Sequence, residues 1–242
     1  FTESVDHSWY EYPAKSEAAL NPWDGVTSPK YTGPKEGSAT EWKALNETGK
    51  YSWLKTPKWN GKLCEVGPLA RYIIIYVKAK KGLLGELTWA EKMMMDQIDA
   101  VSKVLGLAPE VWLPTMVGRT AARALDCQPA AEINKYFFDK LIANLKTGDT
   151  KVASNEKWDP STWPKECEGV GIYEAPRGAL SHYIAIKDGK TDNYQCIVPT
   201  TWSACPRDDK AGHGAYEIAM LDTQVKVPDK PLEIVTVVRS FD

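Results

Sequence analysis

Apolar residues recur at helical spacing near the middle of the chain. Thr88 and Glu91 fit a capping box, in which each residue bonds a backbone amide of the other. The apolar positions that follow are three and four residues apart: Met94, Ile98, Val101 and Leu105. Gly106 then stands where a C-cap belongs. The pattern predicts an amphipathic helix between Thr88 and Gly106.

The longest helix is predicted over residues 118–147, with Gly148 as its stop signal. Its apolar positions are spaced by four: Ile133, Phe137, Leu141 and Leu145. Pro129 is expected to kink or interrupt this helix, because proline lacks the amide donor. We expect the helix to be buried on most sides.

Strand signals are short. Residues 184–186 and 194–198 flank a turn at Asp188-Gly189 and predict a hairpin. Helix and strand both stay open for residues 71–81 and 231–241, where β-branched residues blur the helical period. Residues 1–62 and 152–168 predict irregular chain, with residues 33–49 as an exposed loop. Four aromatic anchors are expected to pin the first stretch: Trp9, Trp23, Trp53 and Trp59.

These elements predict a mainly α fold, with a helical bundle core, irregular connections and short β-hairpins. The 242 residues, 43% of them hydrophobic, are enough to bury a core in one large or two small domains. Thirty Lys and Arg against 32 Asp and Glu give a net charge of -2, so charge alone cannot hold nucleic acid or an anionic membrane. The longest apolar run, residues 72–77, is too short for a transmembrane helix.

The cysteines argue against a metal site built from local pairs. Five are present, and none of them forms a CxxC pair: Cys64, Cys127, Cys167, Cys196 and Cys205. The odd number also argues against a complete disulfide framework. We expect reduced, mostly buried thiols.

Residues 65–71 (EVGPLAR) place a Gly-Pro turn between an acid and a base. The pattern fits a chemical site. It fits better the start of a helix, with proline at the first position and Glu65 near the positive end of the helix dipole.

Residues 174–182 (EAPRGALSH) hold Arg177 between a proline and a glycine. An arginine on so rigid a turn suits contact with a negative ligand or a reaction centre. Pairing with a structural carboxylate fits equally well. His182 alone is more typical of a core histidine than of a ligand.

Residues 198–202 (VPTTW) present the Thr200 hydroxyl just after a proline. The hydroxyl is suited to bond a small anionic group. A strand that ends in a turn explains the pattern equally well.

In this order and at this spacing, the three segments resemble the catalytic large subunit of NiFe hydrogenases. Further matches to that family lie in residues 7–10, 28–32, 118–123 and 239–242. The resemblance spans essentially the whole chain and is greatest to the respiratory, uptake-type branch. Members of that branch pair with an iron–sulfur small subunit. The resemblance therefore implies the reversible heterolytic cleavage of H2, with electrons passing to that partner.

The chain departs from the family in its cysteines. The family holds its metals with two CxxC motifs, one near each end of the subunit, and neither is present here. The chain also begins at Phe1 without a methionine. We therefore expect residues 1–242 to be the C-terminal part of a large subunit, lacking both metal-binding segments. The second motif would follow soon after Asp242, and the N-terminal half of the subunit would be a partner.

The resemblance assigns roles to individual residues. Arg177 matches the arginine over the open metal position, and Asp242 matches the aspartate that orients it. The cyanide and carbon monoxide ligands of the metal centre would be lined by Ala175, Pro176, Leu180, Val198 and Pro199, with a hydrogen bond from Thr200. The backbone carbonyl of Cys196 matches a magnesium ligand, and Glu65 matches an acid close to that cation.

The resemblance also implies partners and a location. The expected assembly contains the iron–sulfur small subunit and a membrane cytochrome b, and it lies on the periplasmic side of the membrane. Two alternatives remain open. The first is a metal-free respiratory-complex subunit that is related to hydrogenases and lies near a quinone site. The second is a non-catalytic assembly fragment.

Overall fold

The computed structural model describes residues 1–12, 21–23, 27–33 and 48–241, and the chain divides into two compact units. One unit combines Phe1–Gly67 with Lys165–Asp242, and the other is Pro68–Pro164. Within the described residues, none of the helices combines the length and apolar character that a bilayer crossing requires.

Four helices form the unit Pro68–Pro164: α1 (Pro68–Lys80), α2 (Trp89–Leu105), α3 (Pro109–Trp112) and α4 (Met116–Lys146). Their buried core consists of Leu69, Tyr72, Tyr76, Met94, Ile98, Trp112, Leu113 and Ala122. The Tyr72 hydroxyl donates to Gln97 at 2.6 Å, and the Tyr76 hydroxyl donates to Glu110 at 2.8 Å. Burial of two tyrosines one turn apart decides the ambiguous segment 71–81 in favour of a helix, despite its three isoleucines.

Helix α2 begins and ends as predicted. The Thr88 hydroxyl accepts from the Glu91 amide at 3.3 Å, and the Glu91 carboxylate accepts from the Thr88 amide at 2.8 Å. Gly106 ends the helix with φ of 65°, in the left-handed region that glycine adopts without a steric cost. The capping box and the C-cap are both confirmed.

Helix α4 continues through Pro129, so an interruption is ruled out, while a kink at this residue stays a prediction. Proline at this position removes the amide that would bond the carbonyl of Leu125, four residues earlier. That carbonyl instead accepts from the side-chain amide of Gln97 on α2, at 3.1 Å. A hydrogen bond from the neighbouring helix therefore compensates for the missing backbone donor.

The expected burial of α4 is also wrong. Pro129 is the last buried residue of this helix, and the apolar side chains beyond it are 38% to 62% exposed at Ile133, Phe137, Leu141 and Leu145. Their spacing correctly predicted a helix with an apolar face. No described element of the unit buries that face.

The other unit contains an antiparallel sheet of β5 (Cys167–Ala175), β6 (Gly178–Lys187) and β7 (Lys190–Ile197), in the order β5-β6-β7. The predicted hairpin turns at Asp188-Gly189, and both residues have positive φ, 52° and 71°. Strand β5 was not predicted, because Gly169 and Gly171 interrupt its alternation. A mainly α fold is therefore right only in outline, since this sheet is larger than a hairpin.

Short strands and helices complete this unit. Two strand pairs are antiparallel: β1 (Thr2–Ser4) with β4 (Thr56–Lys58), and β2 (Tyr10–Glu11) with β3 (Ser28–Pro29). Three helices follow the sheet: α5 (Pro199–Ala204), α6 (Ala215–Met220) and α7 (Leu232–Arg239). The ambiguous segment 231–241 is thus mostly helical.

The aromatic anchors are only partly confirmed. Trp9 is buried, and Trp23 packs on Tyr183 with ring centroids 5.1 Å apart. Trp53 is exposed but packs on Trp9 with ring centroids 5.3 Å apart, which agrees with an anchoring role. Trp59 is 59% exposed, so its anchoring role is wrong. The predicted loop over residues 33–49 lies largely outside the described residues.

The buried side chain of Asp208 links distant segments of this unit. Its side chain is buried, pairs with the Lys58 ammonium and accepts from the Ser4 hydroxyl at 2.6 Å. The amides of Lys210 and Ala211 donate to it at 2.9 and 2.7 Å. Burial tends to raise the pKa of Asp208, but these donors outweigh it and lower the pKa to about 2.

We predict that Asp208→Asn lowers the free energy of unfolding by about 3–5 kcal/mol, because it leaves the Lys58 ammonium buried without its counter-ion. Asp139→Asn is the control, since Asp139 and its partner Lys135 are both exposed and the change should alter stability by less than about 1 kcal/mol. Thermal and denaturant unfolding of the assembled protein measure both. Equal stability of the two variants would contradict the role of Asp208.

The lowered pKa of Asp208 also predicts the pH range over which the protein loses the stability that this carboxylate contributes. The stability from this carboxylate is fully present above its ordinary pKa of 3.8 and is lost as the pH falls toward about 2. The wild-type protein should therefore lose more stability than Asp208→Asn across this range.

Candidate functional site

The Arg177 segment forms the tight connection between β5 and β6. Ala175 pairs with Gly178, so Pro176 and Arg177 alone make the turn. Pro176 fixes one backbone angle of the turn, and the strand ladder holds both of its ends. The turn is exposed, and Arg177 lies at its tip.

Val66 and Gly67 lie directly against this turn. A Cβ atom on Gly178 would come within 2.6 Å of the Gly67 nitrogen and 2.7 Å of Val66 Cγ2. A Cβ atom on Gly67 would come within 2.9 Å of the Arg177 carbonyl oxygen. The structure therefore brings the first two motifs together through backbone contact. Helix α1 also begins at Pro68, which confirms the helix-start interpretation of that motif.

The third motif lies at the same end of the sheet. Ser181 pairs with Ile197, the last residue of β7, which places Leu180 of β6 near Val198, the next residue along the chain. Val198 is the N-cap of α5, and its carbonyl accepts from the Thr201 amide at 3.0 Å. The half-buried Thr200 is in the first turn of this helix. Ala175, Pro176, Leu180, Val198, Pro199 and Thr200 therefore share one end of the sheet.

Cys196 lies further along the same sheet, opposite His182. Its Sγ is 3.6 Å from His182 Nε2, while His182 Nδ1 contacts the Tyr194 hydroxyl. His182 is only half-buried, so its interpretation as a core histidine is wrong. Glu65 is half-buried beside Val66. Asp242 lies outside the described residues.

The opposite end of the sheet has an open cleft of about 500 Å³. It is lined by residues of all three strands or just before them, including Glu166, Cys167, Glu168 and Asp192. None of the predicted site residues lines it. The predicted site residues and this cleft are therefore at different ends of the sheet.

The described residues do not supply a metal-ligand set. Among them, no group of three or more His, Cys, Asp or Glu side chains is arranged to hold an ion. Burial raises the pKa of the thiols of Cys64 and Cys196, and raises that of Cys205 to about 12 with help from Glu217. Burial therefore favours the protonated thiol at all three cysteines.

The expectation of mostly buried thiols is wrong. Only Cys205 is buried, while Cys127, Cys167 and Cys196 are exposed. The exposed three lie on α4 and on the two outer strands of the sheet, which have uncovered surface in this chain.

Residues 66 and 67 were not among the predicted site residues. Gly67 gave a signal in the sequence, as a glycine before a proline, but its contact with a turn more than 100 residues away was not visible there. Val66 gave none.

A model of the nickel-dependent hydrogenase family matches residues 1–242. The chain is 51% identical to the uptake hydrogenase large subunit of Rhizobium leguminosarum bv. viciae over 242 residues, 99% of this chain and 38% of that protein. It is 47% identical to the hydrogenase-1 large chain of Escherichia coli over 241 residues, again 99% of this chain and 38% of the relative. The chain thus spans about two fifths of the length of these curated relatives.

Solved structures agree. The chain is similar to the Ni-Fe-Se hydrogenase from Desulfomicrobium baculatum in a reduced, active form, with a TM-score of 0.68 and 29% identity. That match covers 99% of this chain and 42% of the solved chain. The Ni-Fe-Se hydrogenase from D. vulgaris Hildenborough gives a TM-score of 0.64 at 28% identity, covering 99% and 43%.

The different exposure of the Cys127 and Cys205 thiols predicts different reactivity toward an alkylating reagent. Native alkylation should modify Cys127 readily, because it is exposed, and leave Cys205 unmodified, because burial raises its pKa to about 12. Denaturation should expose both equally. Mass spectrometry of digested samples measures the extent at each site. Equal native labelling of the two cysteines would contradict the described burial.

Proposed function

Because this chain belongs to the nickel-dependent hydrogenase family, we propose that it is the C-terminal part of a hydrogenase large subunit and contributes to the reversible cleavage of H2. The observation that carries this proposal is the Pro176–Arg177 turn. It presents an arginine at the end of the sheet where the predicted ligand-contacting residues also lie.

In this proposal a nickel–iron centre with cyanide and carbon monoxide ligands lies against that end of the sheet. The centre supplies the Lewis-acid and redox chemistry that cleavage of H2 requires. The ligating cysteines belong to parts of the protein outside this chain, because no CxxC pair is present and the described residues form no ligand set. The described residues suit positions around the centre, but they do not supply its thiolate ligands.

Arg177 is the proposed catalytic residue. Its planar guanidinium carries a permanent positive charge and several donors, and the rigid turn fixes where that charge lies. The charge would polarise H2 beside the centre. To act as the base, Arg177 would first have to release one proton, so that a neutral guanidine nitrogen receives the proton that cleavage releases. Asp242 would orient the guanidinium by a charge-assisted hydrogen bond.

The neighbouring residues form the cradle for the small ligands. Ala175, Pro176, Leu180, Val198 and Pro199 would offer apolar contacts that exclude water from cyanide and carbon monoxide. The Thr200 hydroxyl would donate a hydrogen bond to a cyanide nitrogen, which would withdraw electron density from the iron. Its position in the first turn of α5, just after Pro199, supports this role.

A magnesium ion is the second proposed cation. Magnesium prefers oxygen ligands and retains several waters, so one backbone carbonyl and a nearby carboxylate suit it. Cys196 would supply the carbonyl, and Glu65 would bond a magnesium-bound water. The Cys196 thiol takes no part, since it contacts His182 instead.

The proposed partners are the N-terminal half of the large subunit, an iron–sulfur small subunit that accepts the electrons, and a membrane cytochrome b. The relatives are named as large subunits or a large chain, which supports a smaller partner. We place the assembly on the periplasmic side of the membrane, attached through its partners. A metal-free respiratory-complex subunit and a non-catalytic assembly fragment are less favoured, because the matching relatives reported above are all hydrogenases.

Replacement of Arg177 by Lys tests the proposal in the complete enzyme. Lysine keeps the positive charge but loses the planar fork, so nickel should load normally. Turnover per nickel should fall by about 10²–10⁴-fold, the usual contribution of a positioned acid–base group. Hydrogen oxidation and nickel content are measured on the same sample.

Arg207→Lys is the matched control, because Arg207 lies in the same unit and pairs with the exposed Asp209 at 3.3 Å. It should keep normal turnover per nickel. Unchanged turnover per nickel in Arg177→Lys would contradict the catalytic role. A loss of nickel in proportion to activity would make Arg177 a scaffold residue.

The exposed apolar surface predicts that the isolated chain does not persist as a free monomer. Large apolar side chains are exposed on α4 and β5, among them Phe137, Phe138, Ile172 and Tyr173. An obligate interface commonly buries more than about 2,000 Å². Light scattering after size exclusion should show self-association of the isolated chain and a discrete assembly when the partners are co-expressed. A monodisperse, well-folded monomer would contradict this.

A further inference from the structure

We propose that Gly67, together with Val66, positions Arg177 by setting where the backbone of the 176–178 turn lies. The inference rests on the proposed function, because it assigns a positioning role toward the same arginine. Neither residue is proposed to touch substrate or metal. Both act through the turn.

The contact is reciprocal, and both sides of it require glycine. A Cβ atom on Gly67 would meet the Arg177 carbonyl oxygen at 2.9 Å, and one on Gly178 would meet the Gly67 nitrogen at 2.6 Å. The two glycines also have φ of 124° and 127°, which side-chain-bearing residues rarely adopt. Two backbones therefore pack against each other without a side chain between them.

This contact bears on Arg177 more directly than on any other predicted site residue. The atom that faces Gly67 is the carbonyl oxygen of Arg177 itself. The turn is held elsewhere by the Ala175–Gly178 pair and by the ring of Pro176. A methyl group at residue 67 would therefore push on the backbone from which the guanidinium extends.

The displacement that this methyl group would cause follows from the contact distances. Ordinary van der Waals contact begins at 3.4 Å, against 2.9 Å for a methyl group on Gly67, so the turn must shift by about half an ångström. A misplacement of about 1 Å in an active site costs about 10²-fold in rate. We therefore expect Gly67→Ala to lower turnover per nickel by about 10-fold.

The experiment uses the complete enzyme and a matched control. Gly61 also has positive φ, 74°, but a Cβ atom there would meet nothing within 4 Å. Gly61→Ala thus introduces backbone strain without pushing on the turn. We expect Gly67→Ala to retain nickel, lose turnover and shift the cyanide and carbon monoxide infrared bands. Gly61→Ala should leave turnover per nickel and the bands unchanged.

A double-mutant cycle with Arg177→Lys tests whether Gly67 acts through the arginine. Gly67→Ala should cost about 10-fold in the wild type and less than about 2-fold when residue 177 is lysine. Equal costs in the two backgrounds overturn the inference, as does unchanged turnover in Gly67→Ala. Lower turnover per nickel in Arg177→Lys, together with normal turnover per nickel in Gly67→Ala, would overturn this inference alone. Unchanged turnover in Arg177→Lys sinks the proposed function itself.

If the Gly67→Ala enzyme fails to load nickel, Val66→Ala tests the positioning role instead. It removes the methyl group nearest to Gly178 without adding bulk, so assembly should be normal. We expect a smaller loss of turnover per nickel, about 3-fold, that again vanishes when residue 177 is lysine. Normal turnover in a nickel-loaded Val66→Ala enzyme would overturn the positioning role.

Discussion

The close backbone contact between Gly67 and the 176–178 turn is the constraint on which the candidate site depends. It joins two segments that are more than 100 residues apart in sequence, and only glycine fits on either side of it. Because the turn is also the end of the β5–β6 ladder, the contact fixes one end of the sheet. The Leu180 and Thr200 segments lie at that same end, so their positions follow from the register of the three strands.

The buried Asp208 cluster gives the same unit its second fixed point. Asp208 lies 204 residues from Ser4 and 150 residues from Lys58, yet it bonds both. The cluster therefore ties strands β1 and β4 to the chain that follows α5. A site made of short dispersed motifs needs such links, because no single element carries more than a few of its residues.

The sequence predicted local structure best where one motif contains its own physical cause. The Thr88 capping box, the Gly106 C-cap and the Asp188-Gly189 turn need only their own neighbours, and all three are confirmed. Strand β5 was missed because its glycines hide the alternation, and the continuity of α4 depended on Gln97 from another helix. The exposure of α4 and of most cysteines was also missed, since periodicity reports an apolar face and not what covers it.

In the candidate site, too, local motifs could be predicted from the sequence and distant contacts could not. The three motifs were identifiable in sequence, and the sheet brings them to one end, yet the contribution of Val66 and Gly67 required the contact itself. The roles of all the predicted site residues, Arg177 and Thr200 among them, remain predictions, since they depend on groups outside the described residues.

The most direct test of the account is anomalous diffraction at the nickel absorption edge from crystals of the complete enzyme. We expect one nickel peak within a few ångströms of the Arg177 guanidinium, at the end of the sheet formed by Gly178, Leu180 and Val198. A nickel peak at the opposite end, beside Glu166 and Cys167, or one remote from the sheet would contradict the account.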